Sequence, residues 1–236
     1  MSAPYTNKPV LNSDGSVPAN FYDYDYWERG DESGRGSYNG NDYSNNLAAC
    51  QSWARDTWNR WGPFKSYLEL GCGRGWAIWG FLNLPDLAVI PLGIDHSHYA
   101  VSTAHPDVQP YLIEQDISDL YALGDNTQDL IFSNDVLEHL TPVQVRSCLE
   151  HCRRVATTRI VHLISIGDGI DLPDGQVPSD QDQSHVNLKS VTWWVNMFKE
   201  VFGDDLETGW KLYMVPHGRT IEVDVRWIGH MFGMEK

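Results

Sequence analysis

Short apolar runs and longer amphipathic segments alternate along most of the chain. Runs of strand length occur near residues 67–70, 87–94, 111–117, 129–133 and 159–166. Apolar residues at helical spacing occur near residues 44–61, 75–83, 97–104, 142–154 and 189–202. Because strands separated by helices usually join as parallel neighbours, this order predicts an α/β fold with helices packed on a mostly parallel sheet.

Two of the predicted helices carry clear end signals. Pro63 follows the first amphipathic segment and cannot donate the backbone hydrogen bond that would continue a helix. Thr141 and Pro142 precede the fourth segment as a capping hydroxyl and a first-turn proline. These signals predict sharp ends for the helices of residues 44–61 and 142–154.

The last part of the chain has a different pattern. Residues 209–216 and 220–229 are predicted to be two strands joined by a short turn. Apolar and polar residues alternate almost strictly in the second strand, which is typical of an antiparallel strand with one exposed face. We therefore expect a C-terminal antiparallel hairpin whose second strand is half exposed.

The N-terminal part, residues 1–43, is rich in Tyr, Asn, Asp, Ser and Gly and shows little periodicity, so it cannot build a core of its own. Its aromatic residues are nevertheless dense: Tyr22, Tyr24, Tyr26, Trp27, Tyr38 and Tyr43. We predict that part of this segment folds over a ligand pocket as a lid, and the other interpretation is a flexible arm. With 236 residues in all, the remaining residues 44–236 suit a single domain.

The most informative motif is the glycine-rich turn that follows the first strand. Glu69 precedes Gly71, Gly73 and Gly75, and the next residue is the bulky Trp76. A dinucleotide-binding turn needs a third small residue for close helix packing, so this motif departs from that fingerprint. Glu69 would also repel a pyrophosphate but could accept hydrogen bonds from an ammonium group. The motif therefore favours a nucleoside that bears an amino acid.

This turn resembles the first motif of the class I S-adenosylmethionine-dependent methyltransferases, which runs acidic-x-Gly-x-Gly-x-Gly. The runs that end at Asp95 and Asp116, and residues 129–139, are similar to the next three motifs of that family in order and spacing. The resemblance covers roughly residues 60–200 and is specific as a set. It implies a single Rossmann-like, seven-stranded, mostly parallel sheet, with S-adenosylmethionine as methyl donor and S-adenosylhomocysteine as product.

The resemblance also implies which residues contact the cofactor. Asp95 would accept hydrogen bonds from the ribose hydroxyls, and Asp116 would contact the adenine amino group while Ile117 packs on the ring. The expected cofactor-binding residues are Glu69, Gly71, Cys72, Gly73, Gly75, Asp95, His96, Asp116, Ile117, Asn134, Asp135 and Val136. Asp95 and Asp116 have a second interpretation as helix N-caps, and the glycines as a plain turn.

Catalysis needs little more than an aligned acceptor and, where the acceptor carries a proton, a base. The candidate bases are His139, after the fourth strand, and His185, before the last predicted helix. Glu138, Asp135 or Asp182 could orient the imidazole, and both histidines have a structural interpretation as well.

The composition narrows the choice of partners. A net charge of −15 disfavours nucleic acid as substrate, because nucleic-acid binding depends on basic groups. The chain lacks an apolar stretch long enough to span a membrane and a secretion signal, so we expect a cytoplasmic protein. The four cysteines are expected to be free thiols, with Cys148 and Cys152 on one packed helical face.

The acidic stretch of residues 168–182 follows the fifth strand and is expected to be an active-site loop. Its acids show no regular spacing of metal ligands, so we predict no resident metal, with divalent-cation binding as the alternative. We expect methyl transfer to a small hydroxylated acceptor such as a sugar or secondary metabolite. The alternatives are a non-catalytic cofactor-binding scaffold or activating subunit, and a protein or peptide methyltransferase.

Overall fold

The computed structural model describes residues 7–33, 46–166, 182–203, 205–217 and 220–227. Seven strands form one sheet in the order β3-β2-β1-β4-β5-β7-β6. The strands are β1 (Ser66–Leu70), β2 (Ile90–Asp95), β3 (Leu112–Glu114), β4 (Gln128–Asn134), β5 (Ala156–Ser165), β6 (Trp210–His217) and β7 (Thr220–Trp227). The first five strands are parallel, and β7 is antiparallel to both β5 and β6. The predicted mostly parallel, seven-stranded sheet with a C-terminal hairpin is confirmed.

Seven α-helices accompany the sheet within the described residues. They are α1 (Tyr24–Ser33), α2 (Leu47–Trp61), α3 (Trp76–Leu82), α4 (His98–Thr103), α5 (Pro142–Val155), α6 (Val191–Phe202) and α7 (Asp205–Thr208). Asn46 caps α2, and Thr141 forms a capping box with Gln144 at the start of α5. The sequence signals therefore predicted these ends to within a few residues, because capping depends on residues close in sequence.

Two apolar cores cover the two faces of the sheet. On one face α5 and α6 pack through Leu149 and Phe198 against β1, β4 and β5. On the other face α2 and α3 pack through Ala54 and Phe81 against Tyr67 of β1 and its neighbours. Covered on both faces, the central strands are almost fully buried, which explains their continuous apolar sequence.

The cysteines belong to this packing. Cys148 and Cys152 have no exposed surface and lie in the core on the α5 face of the sheet, as their four-residue spacing predicted. All four cysteines are buried and unbridged. None of the described helices is long and apolar enough to cross a membrane.

One expectation about the hairpin was wrong. Strand β7 is not half exposed, because it lies between β5 and β6 and its acidic side chains are also covered. Arg60 of α2 pairs with Glu222, which is 6% exposed, and Arg159 of β5 lies 3.5 Å from Asp224. Burial raises the pKa of Asp224, and the two arginines Arg159 and Arg226 oppose that effect. The alternation was real, but its polar face packs against arginines from distant parts of the chain.

The N-terminal segment is described only over residues 7–33. Within it Val17, Phe21, Tyr22 and Tyr26 form a small apolar cluster that also contacts Val186. Two aromatic residues of the predicted lid, Tyr38 and Tyr43, lie outside the described residues, as does most of the acidic stretch of residues 168–182. The division into a lid of residues 1–43 and a domain of residues 44–236 stays a prediction.

Candidate functional site

A cavity of about 870 Å³ lies beyond the carboxyl ends of β1, β2 and β4. Strand β1 lies where the strand order reverses, which is the usual ligand position in open α/β sheets. With the exception of Gly75, all of the predicted cofactor and base residues lie on its wall: Glu69, Gly71, Cys72, Gly73, Asp95, His96, Asp116, Ile117, Asn134, Asp135, Val136, His139 and His185. One cavity thus joins residues that are far apart in sequence, while their individual roles stay predictions.

The glycine turn connects β1 to α3 and bends back onto β2. The backbone N–H groups of Gly71 and Cys72 both donate to the Ile94 carbonyl, at 2.8 and 3.1 Å. Gly71 has φ of 67°, and a Cβ there would lie 2.4 Å from Val136. Only glycine therefore fits this position without displacing another part of the cavity wall. Gly75 does not line the cavity; it is the left-handed residue at the start of α3.

Glu69 is a buried acid on the side of the cavity formed by the glycine turn. Its side chain is 5% exposed, and Oε2 has no hydrogen-bond partner among the described residues. Burial raises the pKa of Glu69 to about 8; the Tyr67 hydroxyl opposes this effect and the negative charge of Asp95 reinforces it. A buried carboxyl of this kind is a ready acceptor for a cationic donor, so the site fits the ammonium group of an amino-acid-bearing nucleoside.

Asp95 holds two backbone segments together at the end of β2. Its Oδ2 accepts from the Gly73 N–H at 2.8 Å, and its Oδ1 accepts from the Ser97 N–H at 2.8 Å. The residue that caps α4 is Ser97, so Asp95 is not the helix N-cap of the second interpretation. Burial raises the pKa of Asp95, although His96 opposes that effect. Each carboxylate oxygen keeps a second lone pair, which suits the expected ribose contact.

Asp116 has both a local role and a place on the cavity wall. Its Oδ1 accepts from the backbone N–H and the hydroxyl of Ser118, each at 2.8 Å, which is the hydrogen bonding of an Asx turn. Ile117 beside it is 5% exposed. The turn found here and the predicted adenine contact are compatible, because Asp116 still lines the cavity.

The residues after β4 adopt an uncommon backbone conformation. Asp135 has φ of 52°, which few residues other than glycine adopt. Its two carboxylate oxygens accept from Ser165 Oγ at 3.1 Å and from the Asn134 amide at 2.9 Å. This turn places Val136 against Gly71 and leads into a 3₁₀ turn that ends at His139.

The two candidate bases lie side by side. The ring centroids of His139 and His185 are 4.5 Å apart. The backbone carbonyl of Glu138 accepts the N–H groups of Val186 and Asn187, which brings the segment before α6 onto the turn after β4. Burial raises the pKa of Glu138 to about 8, and its Oε1 accepts from the Ser165 N–H at 3.0 Å.

Of the three carboxylates considered for orienting a histidine, Asp182 is connected to His139 through a hydroxyl. Nδ1 of His139 lies 2.9 Å from Ser184 Oγ, which donates to Asp182 Oδ1 at 2.5 Å. Ser184 was missed in the sequence, although a serine two residues after an aspartate is a usual Asx-turn partner. Trp53 and Trp76 on the cavity wall were missed because helix packing was sufficient to explain a tryptophan, and Arg74 was missed because it occupies a variable position of the glycine turn.

Ligand atoms of Glu138, His139 and His185 lie within 4.8 Å of one another. In the described part of the chain this is the group of side chains whose chemistry and spacing suit a divalent cation. The prediction of no resident metal was based on the acids of residues 168–182, not on these three side chains, and it stays a prediction. Methyl transfer that is unchanged by a chelator would support it.

The N-terminal segment closes one side of the cavity with Val17, Tyr22, Tyr26 and Trp27. Trp27 Nε1 donates to the Tyr22 carbonyl and to Ser97 Oγ, both at 3.1 Å. A Cβ on Gly73 would lie 2.9 Å from the Trp27 ring, and Arg74 forms an ion pair with Glu28. The segment therefore contacts the glycine turn itself and covers one side of the cavity.

Comparison with known proteins agrees with this geometry. Residues 68–159 match a family model described as "Methyltransferase domain". A comparison with curated proteins finds no match.

Three solved structures illustrate the likeness. A SAM-dependent methyltransferase from Archaeoglobus fulgidus is 11% identical, with 77% of this chain and 94% of that chain covered and a TM-score of 0.55. An O-methyltransferase family protein from Burkholderia thailandensis is 12% identical, with 77% and 57% covered and a TM-score of 0.54. The N-terminal domain of EvdMO1 with SAH bound is 16% identical, with 75% and 81% covered and a TM-score of 0.53. At these identities the likeness shows the fold alone.

Proposed function

We propose that this chain, a methyltransferase of the class I S-adenosylmethionine-dependent fold, transfers a methyl group to a hydroxyl of a small molecule such as a sugar or secondary metabolite. The observation that carries the proposal is one cavity with buried Glu69 and Asp95 at the glycine turn and a histidine pair near the segment before α6. The first group suits a cationic cofactor, and the second suits removal of a proton from an acceptor.

S-adenosylmethionine is the methyl donor. We assign its ammonium group to Glu69, its ribose to Asp95 and its adenine to Asp116 and Ile117. When bound it supplies an electrophilic methyl group, so the acceptor oxygen gains a bond to carbon as the bond from carbon to sulfur breaks. The acceptor hydroxyl gives its proton to His139 or His185, both of which line the cavity.

Several observations favour a small acceptor. A cavity of about 870 Å³ is in the range of sites for cofactors and small molecules. Tyr22, Tyr26 and Trp27 line it with aromatic surface that can pack on a sugar or an aromatic ring. The neighbours named above include an O-methyltransferase family protein, and the EvdMO1 domain was also crystallised in the presence of SAH and D-fucose.

The net charge of −15 disfavours nucleic acid as the acceptor. The four free thiols suit a cytoplasmic location.

Cofactor binding is expected to release a proton from Glu69. Its pKa of about 8 in the cofactor-free protein means that the carboxyl is mostly protonated at pH 7. An ammonium partner favours the ionised form, so the proton leaves on binding, and affinity should rise as the pH increases from 6 to about 8. Calorimetry at pH 7 in buffers of different ionisation enthalpy measures this release. A Glu69→Gln variant that releases as many protons as the wild type would contradict the assignment.

Replacement of the base is expected to lower turnover by about 100-fold or more while cofactor affinity stays near that of the wild type. His139→Ala and His185→Ala are compared under saturating cofactor, with S-adenosylhomocysteine formation measured against a panel of sugars and phenolic hydroxyl compounds. His98→Ala is the matched control, because His98 is exposed and pairs with Glu114 away from the cavity. A histidine whose alanine variant turns over at the wild-type rate is not the base.

The same panel tests the function as a whole. Cofactor binding followed by methylation of a hydroxyl supports the proposal. Binding without transfer to any acceptor, including basic peptides, would favour a non-catalytic scaffold, and methylated peptides would favour a protein methyltransferase.

A further inference from the structure

Behind His139 lies a short chain of hydrogen bonds that ends at a buried carboxylate. Nδ1 of His139 is 2.9 Å from Ser184 Oγ, and Ser184 Oγ donates to Asp182 Oδ1 at 2.5 Å. The Ser184 backbone N–H donates to the same oxygen at 2.8 Å. Ser184 is fully buried and Asp182 is 7% exposed, so water has little access to these hydrogen bonds.

The chemistry of these three side chains indicates which of their atoms carry hydrogens. Burial would raise the pKa of Asp182, but His139, His185 and the hydrogen bonds from Ser184 hold it below its usual value. Asp182 accepts from the Ser184 hydroxyl, the Ser184 N–H and the Tyr26 hydroxyl, and three such donors favour an ionised carboxylate that acts only as an acceptor. The single hydroxyl proton of Ser184 is thus used toward Asp182, and Ser184 can only accept from His139. A hydrogen on Nδ1 of His139 satisfies this contact and places the imidazole lone pair on Nε2.

Two tyrosines complete the surroundings. Tyr26 donates its hydroxyl to Asp182 Oδ2 at 2.9 Å, which adds to the stabilisation of the ionised carboxylate. The Tyr22 hydroxyl lies 3.2 Å from His139 Nδ1 and also interacts with Ser184; as a donor to Nδ1 it would favour the opposite tautomer. The Ser184 contact is shorter and is backed by a negative charge, so it favours a hydrogen on Nδ1.

We propose that Ser184 and Asp182 are positioning residues that hold His139 in the tautomer with its lone pair on Nε2, which makes His139 the base for the acceptor hydroxyl. This inference rests on the proposed function and decides between its two candidate bases. When Nε2 takes the acceptor proton, the imidazolium that forms is stabilised through Ser184 by the Asp182 carboxylate. His185 then borders the His139 ring without taking the proton.

Other titratable groups also surround His139 and bear on its protonation. Tyr22, His185 and Asp182 act directly on His139, Glu138 precedes it on the same turn, and Tyr26 and His96 pack against Tyr22. Burial raises the pKa of Glu138 to about 8, whereas the pKa of Asp182 is held below its usual value. Asp182 is therefore the anion that should most affect the imidazolium form.

The tautomer can be measured without cofactor or acceptor. Long-range ¹H–¹⁵N spectra of the full chain, labelled on histidine and kept in a chelator, distinguish Nδ1–H from Nε2–H, and His139→Gln identifies the signals. We expect Nδ1–H in the wild type and in Ser184→Thr, and loss of that preference in Ser184→Ala. In Asp182→Asn the preference for Nδ1–H should weaken, because the Ser184 hydroxyl loses its anionic acceptor.

Matched controls separate positioning from folding. Ser147→Ala removes a serine hydroxyl that donates to the Ser118 carbonyl, and Asp129→Asn alters a carboxylate that accepts the N–H groups of Lys65 and Ser66, both away from the cavity. Neither should change the tautomer of His139. If Asp182→Asn does not fold, Ser184→Ala and Ser184→Thr decide the question.

Two results would overturn the inference: a wild-type His139 with its hydrogen on Nε2, or an unchanged tautomer in Ser184→Ala. With an acceptor in hand, kcat of Ser184→Ala should fall by about 10-fold or more while KM for the cofactor is unchanged, and Ser184→Thr should recover much of that loss. A wild-type kcat in Ser184→Ala would also refute the positioning role. Failure of methyl transfer in the wild type would instead refute the proposed function and leave the measured tautomer standing.

Discussion

Replacement of Glu69 by alanine is expected to weaken S-adenosylmethionine binding by about 100-fold. Glu69 is 5% exposed, and its Oε2 has no hydrogen-bond partner among the described residues. A bound ammonium group would therefore contact a carboxyl group that is shielded from water. A hydrogen bond between charged partners contributes about 1.5–3 kcal/mol, which corresponds to roughly 10- to 150-fold in affinity. Removing the carboxylate also leaves the ammonium group of the ligand without its partner.

Glu69→Gln makes the test sharper, because it keeps the shape of the side chain and removes only the charge. We expect most of the loss to remain in this variant. Glu114→Gln is the matched control, since Glu114 lies at the end of β3 with a half-exposed side chain paired to His98. Calorimetric titration measures all three variants. A Glu69→Gln protein that binds within twofold of the wild type would show that the carboxylate does not hold the cofactor.

Substitution of Gly80 by alanine is expected to lower the free energy of unfolding by about 3 kcal/mol or more. Gly80 lies in α3 where this helix crosses α2, and a Cβ there would lie 2.2 Å from the backbone oxygen of Cys50. A backbone carbonyl inside a helix cannot move aside as a side chain would, so the two helices must separate. Because α3 follows the glycine turn directly, the same shift should weaken cofactor binding.

Thermal and denaturant unfolding test this expectation. A loss of this size in a domain of this length should lower the melting temperature by roughly 6–12 °C. Gly124→Ala is the control, since a Cβ there meets only the Thr127 side chain at 3.1 Å, and its effect should stay within about 0.5 kcal/mol. A Gly80→Ala protein as stable as this control would mean that α2 and α3 are not packed as described.

The sequence by itself predicted features whose causes are local. The end of α2 at Trp61, the start of α5 at Pro142 and the glycine turn after β1 depend on residues within a few positions of each other. The order of strands and helices follows from apolar spacing, because each element must bury one side. The acids Glu69, Asp95 and Asp116 could be found because each follows an apolar run at a strand end.

Only the tertiary structure decided which distant residues meet. It buried Glu222 and Asp224 of β7 by supplying Arg60 from α2 and Arg159 from β5, so an alternating strand became an interior one. It connected His139 to Asp182 through Ser184, although Glu138 is the acid adjacent in sequence. Such contacts join residues tens of positions apart, and their energy depends on a three-dimensional arrangement that no local pattern records. Periodicity and capping could therefore predict the order of the helices and strands. The charge, protonation and contacts of the site residues depend on the tertiary structure.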